Sequence, residues 1–164
     1  PNPSDLYDLD HNYAYRWGIA WNIPDGEAIT AAWLFFDDIR NWDNNSNVLY
    51  VRLLNTRRLG VRTYWDGSGS GDYFQGQGVL LNKWENLPST AQDITYYFDG
   101  NEIAALTAYA ADGRFGLGFD PDCHFYNKGI KLTIQTNRVP ETGASIVLLA
   151  MALVQFVAAC RVRR

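Results

Sequence analysis

His11 and His124 are the only two histidines in this 164-residue chain. A serine or cysteine nucleophile would need one of them as its activating base. No G-x-S-x-G elbow occurs, so a Ser-His-Asp arrangement has no nucleophile to build on. Cys123 stands directly before His124, but neighbours along a strand point to opposite faces, so the two cannot act as nucleophile and base. Cys123 is expected to be a small buried cysteine. The run GSGSGD over 67–72 has spaced glycines but no Lys and no following helix pattern, so it reads as a hairpin loop and not a phosphate cradle.

Oxygen ligands offer more. Asp37 and Asp38 lie just ahead of an Asp/Asn-rich loop over 41–47, and Asp120 and Asp122 bracket a proline. Hard carboxylate and amide oxygens from two strand ends are what a Ca²⁺ site needs, so these four aspartates are its candidate ligands. The loop is no EF-hand, because Val48 stands where the turn glycine would be. Asp and Asn also favour turns for their own sake, which is the alternative. Six tryptophans are many for so small a domain, and Trp42, Tyr64, Trp65 and Tyr73 flank polar loops. Exposed rings there could stack on a sugar face, which makes these four the candidate ligand-binding residues. Glycan hydrolysis needs only two suitably spaced carboxylates, and with 18 acidic residues some pair will meet that spacing by chance.

These residues must be positioned by strands. Short apolar runs broken by turn residues fill positions 1–136, the pattern of an all-β sandwich. Strands are expected over 13–23, 28–39, 47–55, 61–65, 72–81 and 93–99, with two more in RFGLGFD and KGIKLTIQT. In the 47–55 run Leu49, Val51 and Leu53 share one face, and Ile130, Leu132 and Ile134 should face inward near the end. One short helix is expected over 101–113, capped by Asn101 and stopped by Gly113. About eight strands over about 125 residues suits a jelly-roll-like antiparallel β-sandwich.

The last residues follow other rules. From 144 to 160 only Ser145 and Gln155 are polar and none is charged. As a helix rising about 1.5 Å per residue, this segment spans roughly 25 Å, close to a hydrocarbon core of about 30 Å. A single C-terminal apolar helix is therefore expected, with Arg161, Arg163 and Arg164 as a cytoplasmic basic stop. Ahead of it, Val139, Pro140, Glu141, Thr142 and Gly143 form an extended stretch, since Pro and Gly keep it out of regular structure. Residues 137–143 are accordingly linker and sorting motif, and 144–164 membrane helix with basic tail.

This succession of short motif, apolar helix and arginines resembles the tripartite sorting signals of bacterial surface proteins. Against the sortase signal LPxTG it departs at Val139. The VP-x-x-G relatives of the PEP-CTERM group match better, through Val139, Pro140, Gly143, Ala144, Ser145 and the final arginines. The segment GFDPDCHFYN over 118–127 also resembles predicted PEP-CTERM ectodomains. The resemblance implies a Gram-negative host and an exosortase-type processing enzyme as partner. It also implies export, transient anchoring in the inner membrane through the C-terminal helix, and release to the cell surface or matrix.

Composition narrows the partners. A net charge of −4 and a pI near 5.0 argue against nucleic acid, whose phosphates call for a basic patch. Two cysteines, Cys123 and Cys160, make no disulfide framework. The opening residues hold no charged and then apolar signal segment, which says nothing about export. The reading reached is a non-catalytic surface or matrix protein with extracellular polysaccharide as its candidate ligand and calcium as its candidate cofactor. A secreted glycan hydrolase and a purely structural matrix protein are the alternatives.

Overall fold

Period-two alternation sends every second side chain inward, and the chain obeys it over most of its length. The computed structural model describes residues 6–67 and 71–140. Its elements are β1 (Asp8–Leu9), β2 (Tyr13–Ala20), β3 (Glu27–Asn41), β4 (Val48–Leu54), β5 (Gly60–Trp65) and β6 (Val79–Glu85). There follow β7 (Gln92–Tyr97), α1 (Gly100–Tyr109), β8 (Arg114–Pro121), β9 (Phe125–Tyr126) and β10 (Gly129–Arg138). The all-β sandwich expected from the sequence is observed, as two five-stranded antiparallel sheets.

In the first sheet the long strand β3 is central. Leu34 pairs with Leu132 of β10 on one edge and with Tyr96 of β7 on the other. β9 continues the β10 edge, with Arg40 opposite Tyr126, and β1 lies outside β9. The second sheet runs β5-β2-β8-β4-β6. A jelly roll pairs its first long strand with its last. Here β2 pairs with β5 and β8, whereas β10 lies in the opposite sheet, because β3 takes it as a neighbour.

The core fills the space between the sheets. Leu34 and Phe36 of β3 meet Leu49, Val51 and Leu53 of β4 and Phe115, Leu117 and Phe119 of β8, all buried. Phe36 meets Phe119 edge to face at 6.2 Å and Trp84 at 5.4 Å, the arrangement aromatic quadrupoles favour. Ile130 is buried, and Leu132 and Ile134 pack against the same core.

Two local expectations are corrected. α1 is capped by Asp99 rather than Asn101: the Asp99 carboxylate accepts from the Glu102 amide, and Glu102 reaches back to the Asp99 amide. That reciprocal capping box satisfies two otherwise orphaned donors, which Asn101 could not do. The helix then tightens into a 3-10 turn (Ala110–Asp112), which ends at Gly113 with φ 78°. The other correction concerns the strand expected over 72–81, which begins only at Val79. Gly76 and Gly78 have positive φ and break the ladder, and the preceding residues form turns. This turning segment lies on the outer face of the second sheet, where Phe74 docks with Ala14 and Leu54. Its ring sits against Gly118 of β8: a Cβ there would lie 2.8 Å from Phe74.

The two ends of the sandwich differ. The start of β2 and the ends of β3, β5 and β8 share one end, where Tyr13 pairs with Trp65 and the Trp42 amide donates to the His124 carbonyl. The chain leaves at the other end: β10 runs on through Arg138, opposite Glu27, and the Val139 amide donates to the Gly26 carbonyl. Asn137 and Arg138, expected in the linker, still pair with β3. No helix among the described residues is long and apolar enough to cross a membrane. The expected apolar helix over 144–160 lies outside the described residues, as do Glu141, Thr142, Gly143, Arg161, Arg163 and Arg164.

Candidate functional site

Tyr64 and Tyr73 come together. Tyr64 lies on β5 opposite the fully buried Ala14 of β2, and Tyr73 arrives from the turning segment before β6. Their rings stack with centroids 5.7 Å apart and planes 28° apart. With Phe74, Leu54, Arg16 and Arg58 they line a cavity of ≈ 410 Å³ on the outer face of the second sheet. The Arg16 guanidinium sits over the Tyr64 ring at 5.2 Å, a cation–π contact. Its Nε and Nη2 are buried without a hydrogen-bond partner, and so is the Tyr64 hydroxyl. Burial, together with Arg58 and Arg62 nearby, holds Arg16 below the usual guanidinium range, although the group stays charged at neutral pH. A guanidinium is a fork of donors that suits planar or tetrahedral anions, and two of its donors are left without a hydrogen bond beside the Tyr64 ring.

Trp65 and Trp42 stand elsewhere. Trp65 follows Tyr64 in the strand and so faces the other way, 68% exposed and edge-on to Tyr13 at 5.4 Å. Trp42 is 57% exposed in the loop after β3, with its ring 6.1 Å from that of His124. The four candidate rings therefore form no single platform.

The four candidate calcium ligands also divide. Asp37 and Asp38 lie at an irregularity in the β3–β7 pairing, where Asp38 has φ 49°. They gather with Asp93, which accepts from the Asp38 amide. Lys128 forms an ion pair with Asp38, so part of that charge is already balanced. Asp120 and Asp122, at the end of β8, instead adjoin Asp66 and Asp72. Asp72 is held by Arg52. Asp120 is 1% exposed: one carboxylate oxygen accepts from the Tyr73 amide at 2.7 Å, and the other, Oδ1, has no partner. Burial first, then Asp66, Asp122 and Asp72, pushes the Asp120 carboxyl up to about 7, against the Tyr73 hydrogen bond. Burial also raises Asp122, whose Oδ1 is likewise buried and unpartnered.

A third group lay beyond sequence reasoning. Pairing of β1 with β9 brings residues from the two ends of the domain together, and one ligand atom from each of Asp10, His11 and His124 lies within 4.8 Å of the other two. Asp8 contacts Nε2 of His124. Asp10 accepts from the amide and the side chain of Asn12, both at 2.8 Å. Burial works to raise the Asp10 carboxyl, but those hydrogen bonds and the two imidazoles prevail and hold it below the usual carboxylate range. Cys123, expected to be buried, is only partly so and packs against the edge of the core.

No known family profile matches the chain, and no curated protein matches it. Among solved structures, a recombinantly expressed latent aurone synthase (a polyphenol oxidase) is similar at TM-score 0.45 and 9% identity, over 82% of this chain and 26% of that one. The same enzyme from its natural source is similar at TM-score 0.45 and 10% identity. The Anabaena sensory rhodopsin transducer follows at TM-score 0.24 and 9% identity, over 82% of this chain and 92% of that one. This chain thus spans about a quarter of the polyphenol oxidase's length. Likenesses this distant carry no argument about activity.

Proposed function

We propose that this chain is an exported, non-catalytic surface or matrix protein that binds an acidic polysaccharide. The observation that carries this reading is the cavity in which stacked Tyr64 and Tyr73 stand beside Arg16, whose Nε and Nη2 have no hydrogen-bond partner. An aromatic wall takes the apolar face of a sugar ring, and the guanidinium takes its carboxylate or sulfate. Calcium, in this reading, is held at Asp120 and Asp122, each of which has a buried carboxylate oxygen without a partner. The exosortase-type sorting of the VP-x-x-G motif is part of the same proposal. Because β10 delivers Val139 and Pro140 at the end opposite His124 and Trp42, a membrane-held precursor would present the latter end outward.

A glycan hydrolase would draw on Asp120 as a carboxyl raised toward neutrality. Asp120 is buried and accepts from the Tyr73 amide, which supports the non-catalytic reading. Affinity electrophoresis in gels containing either a polyuronate or a neutral glucan tests the proposal. The wild type should be retarded by the polyuronate, and Tyr73→Ala should run free. Equal mobility of the wild type in both gels and in a plain gel would refute binding.

A further inference from the structure

We infer that Asp10, His11 and His124 form a binding site for a divalent transition metal of the zinc class. This site is separate from the aspartates assigned to calcium. Two imidazoles and a carboxylate are the donor set that zinc-class metals accept and calcium, which prefers oxygen, does not. The three ligand atoms already lie within 4.8 Å of one another, so bringing them to bonding distance of one ion needs only side-chain adjustment.

The surroundings are those of a prepared site. Asp8 contacts Nε2 of His124, so a metal would take the ring's other nitrogen, Nδ1. A carboxylate on the far nitrogen fixes the tautomer and orientation of a metal-binding imidazole. Trp42 and Tyr126 pack on the same ring, at 6.1 and 4.9 Å between centroids, and limit its rotation. Asn12 in turn fixes the carboxylate of Asp10. The side chains of His11 and Asp10 are 39% and 33% exposed, so solvent or a ligand reaches the fourth coordination position. Three protein ligands with an open position is the arrangement of reactive zinc sites, whereas structural ones are closed by four.

Zn²⁺ titrated into the metal-free chain in detergent tests this by calorimetry. One ion per chain should bind, with affinity unaffected by millimolar Ca²⁺. His11→Gln and His124→Gln should each weaken binding by on the order of 100-fold or more, and Asp8→Asn by about 10–100-fold. Asp37→Asn should leave it unchanged. Co²⁺ provides a reading that needs no variant: the wild type should show the intense visible bands of a four- or five-coordinate nitrogen and oxygen site. Either an absence of Zn²⁺ binding or a pale, aqua-like Co²⁺ spectrum would overturn the assignment. So would undiminished Zn²⁺ affinity in the folded His11→Gln/His124→Gln double variant.

Discussion

Asp120 shows what a single residue can report. Its carboxyl is raised to about 7 from an ordinary value near 3.8, so the native state holds a proton there that the unfolded chain has already lost. Between these values the native state binds more protons than the unfolded one, and stability falls as pH rises from about 4 to about 7. In chelator at pH 8, Asp120→Asn should therefore raise the melting temperature, by an effect on the order of a few kcal/mol. At pH 4 the difference should vanish. Added Ca²⁺ should reverse the order by stabilising only the wild type. A variant less stable than the wild type in chelator at pH 8 would show that the charge is compensated by something other than a metal.

The same scale explains why the metal-binding residues escaped the sequence. Asp10-His11 and His124 are ordinary fragments until β1 pairs with β9, and no spacing rule connects positions so far apart. Arg16 was hidden differently. It occupies an outward position on a strand whose other residues signalled the core, and outward arginines are usually solvated.

At the scale of elements, alternation made most strands legible. The faces of β4, with Leu49, Val51 and Leu53 inward, followed directly from period two. The 72–78 segment did not, because its aromatic residues mimic a strand while Gly76 and Gly78 prevent one. That segment positions Tyr73, and its anchor is Phe74 against Gly118. Gly118→Val should displace Phe74 and cost about 1–3 kcal/mol, as overpacking does. It should also abolish polyuronate binding while leaving the two-sheet core intact by circular dichroism. Unchanged binding would mean that the cavity does not depend on this segment. The helix cap illustrates the same limit: Asp99 and Asn101 are both plausible caps by type, and only the reciprocal bond with Glu102 selects the former.

At the scale of the whole molecule, the two sheets separate three chemistries. A cationic aromatic cavity lies on the outer face of the second sheet, an aspartate group at the end of β8, and a histidine group where β1 meets β9. The chain departs from the opposite end, and the sorting proposal makes its own demand there: processing near Thr142 or Gly143 removes the arginines. Mass spectrometry of the mature protein from its host should find no Arg164, and finding it would reduce the segment to an anchor.

The central claim is acid-glycan recognition by Arg16, and titration calorimetry with a defined oligouronate measures it directly. The account predicts saturable binding by the wild type, weakened about 10- to 100-fold in Arg16→Gln, since a charge-assisted hydrogen bond contributes about 1.5–3 kcal/mol. A wild type that binds no oligouronate, or an Arg16→Gln variant that binds it equally well, would contradict the account.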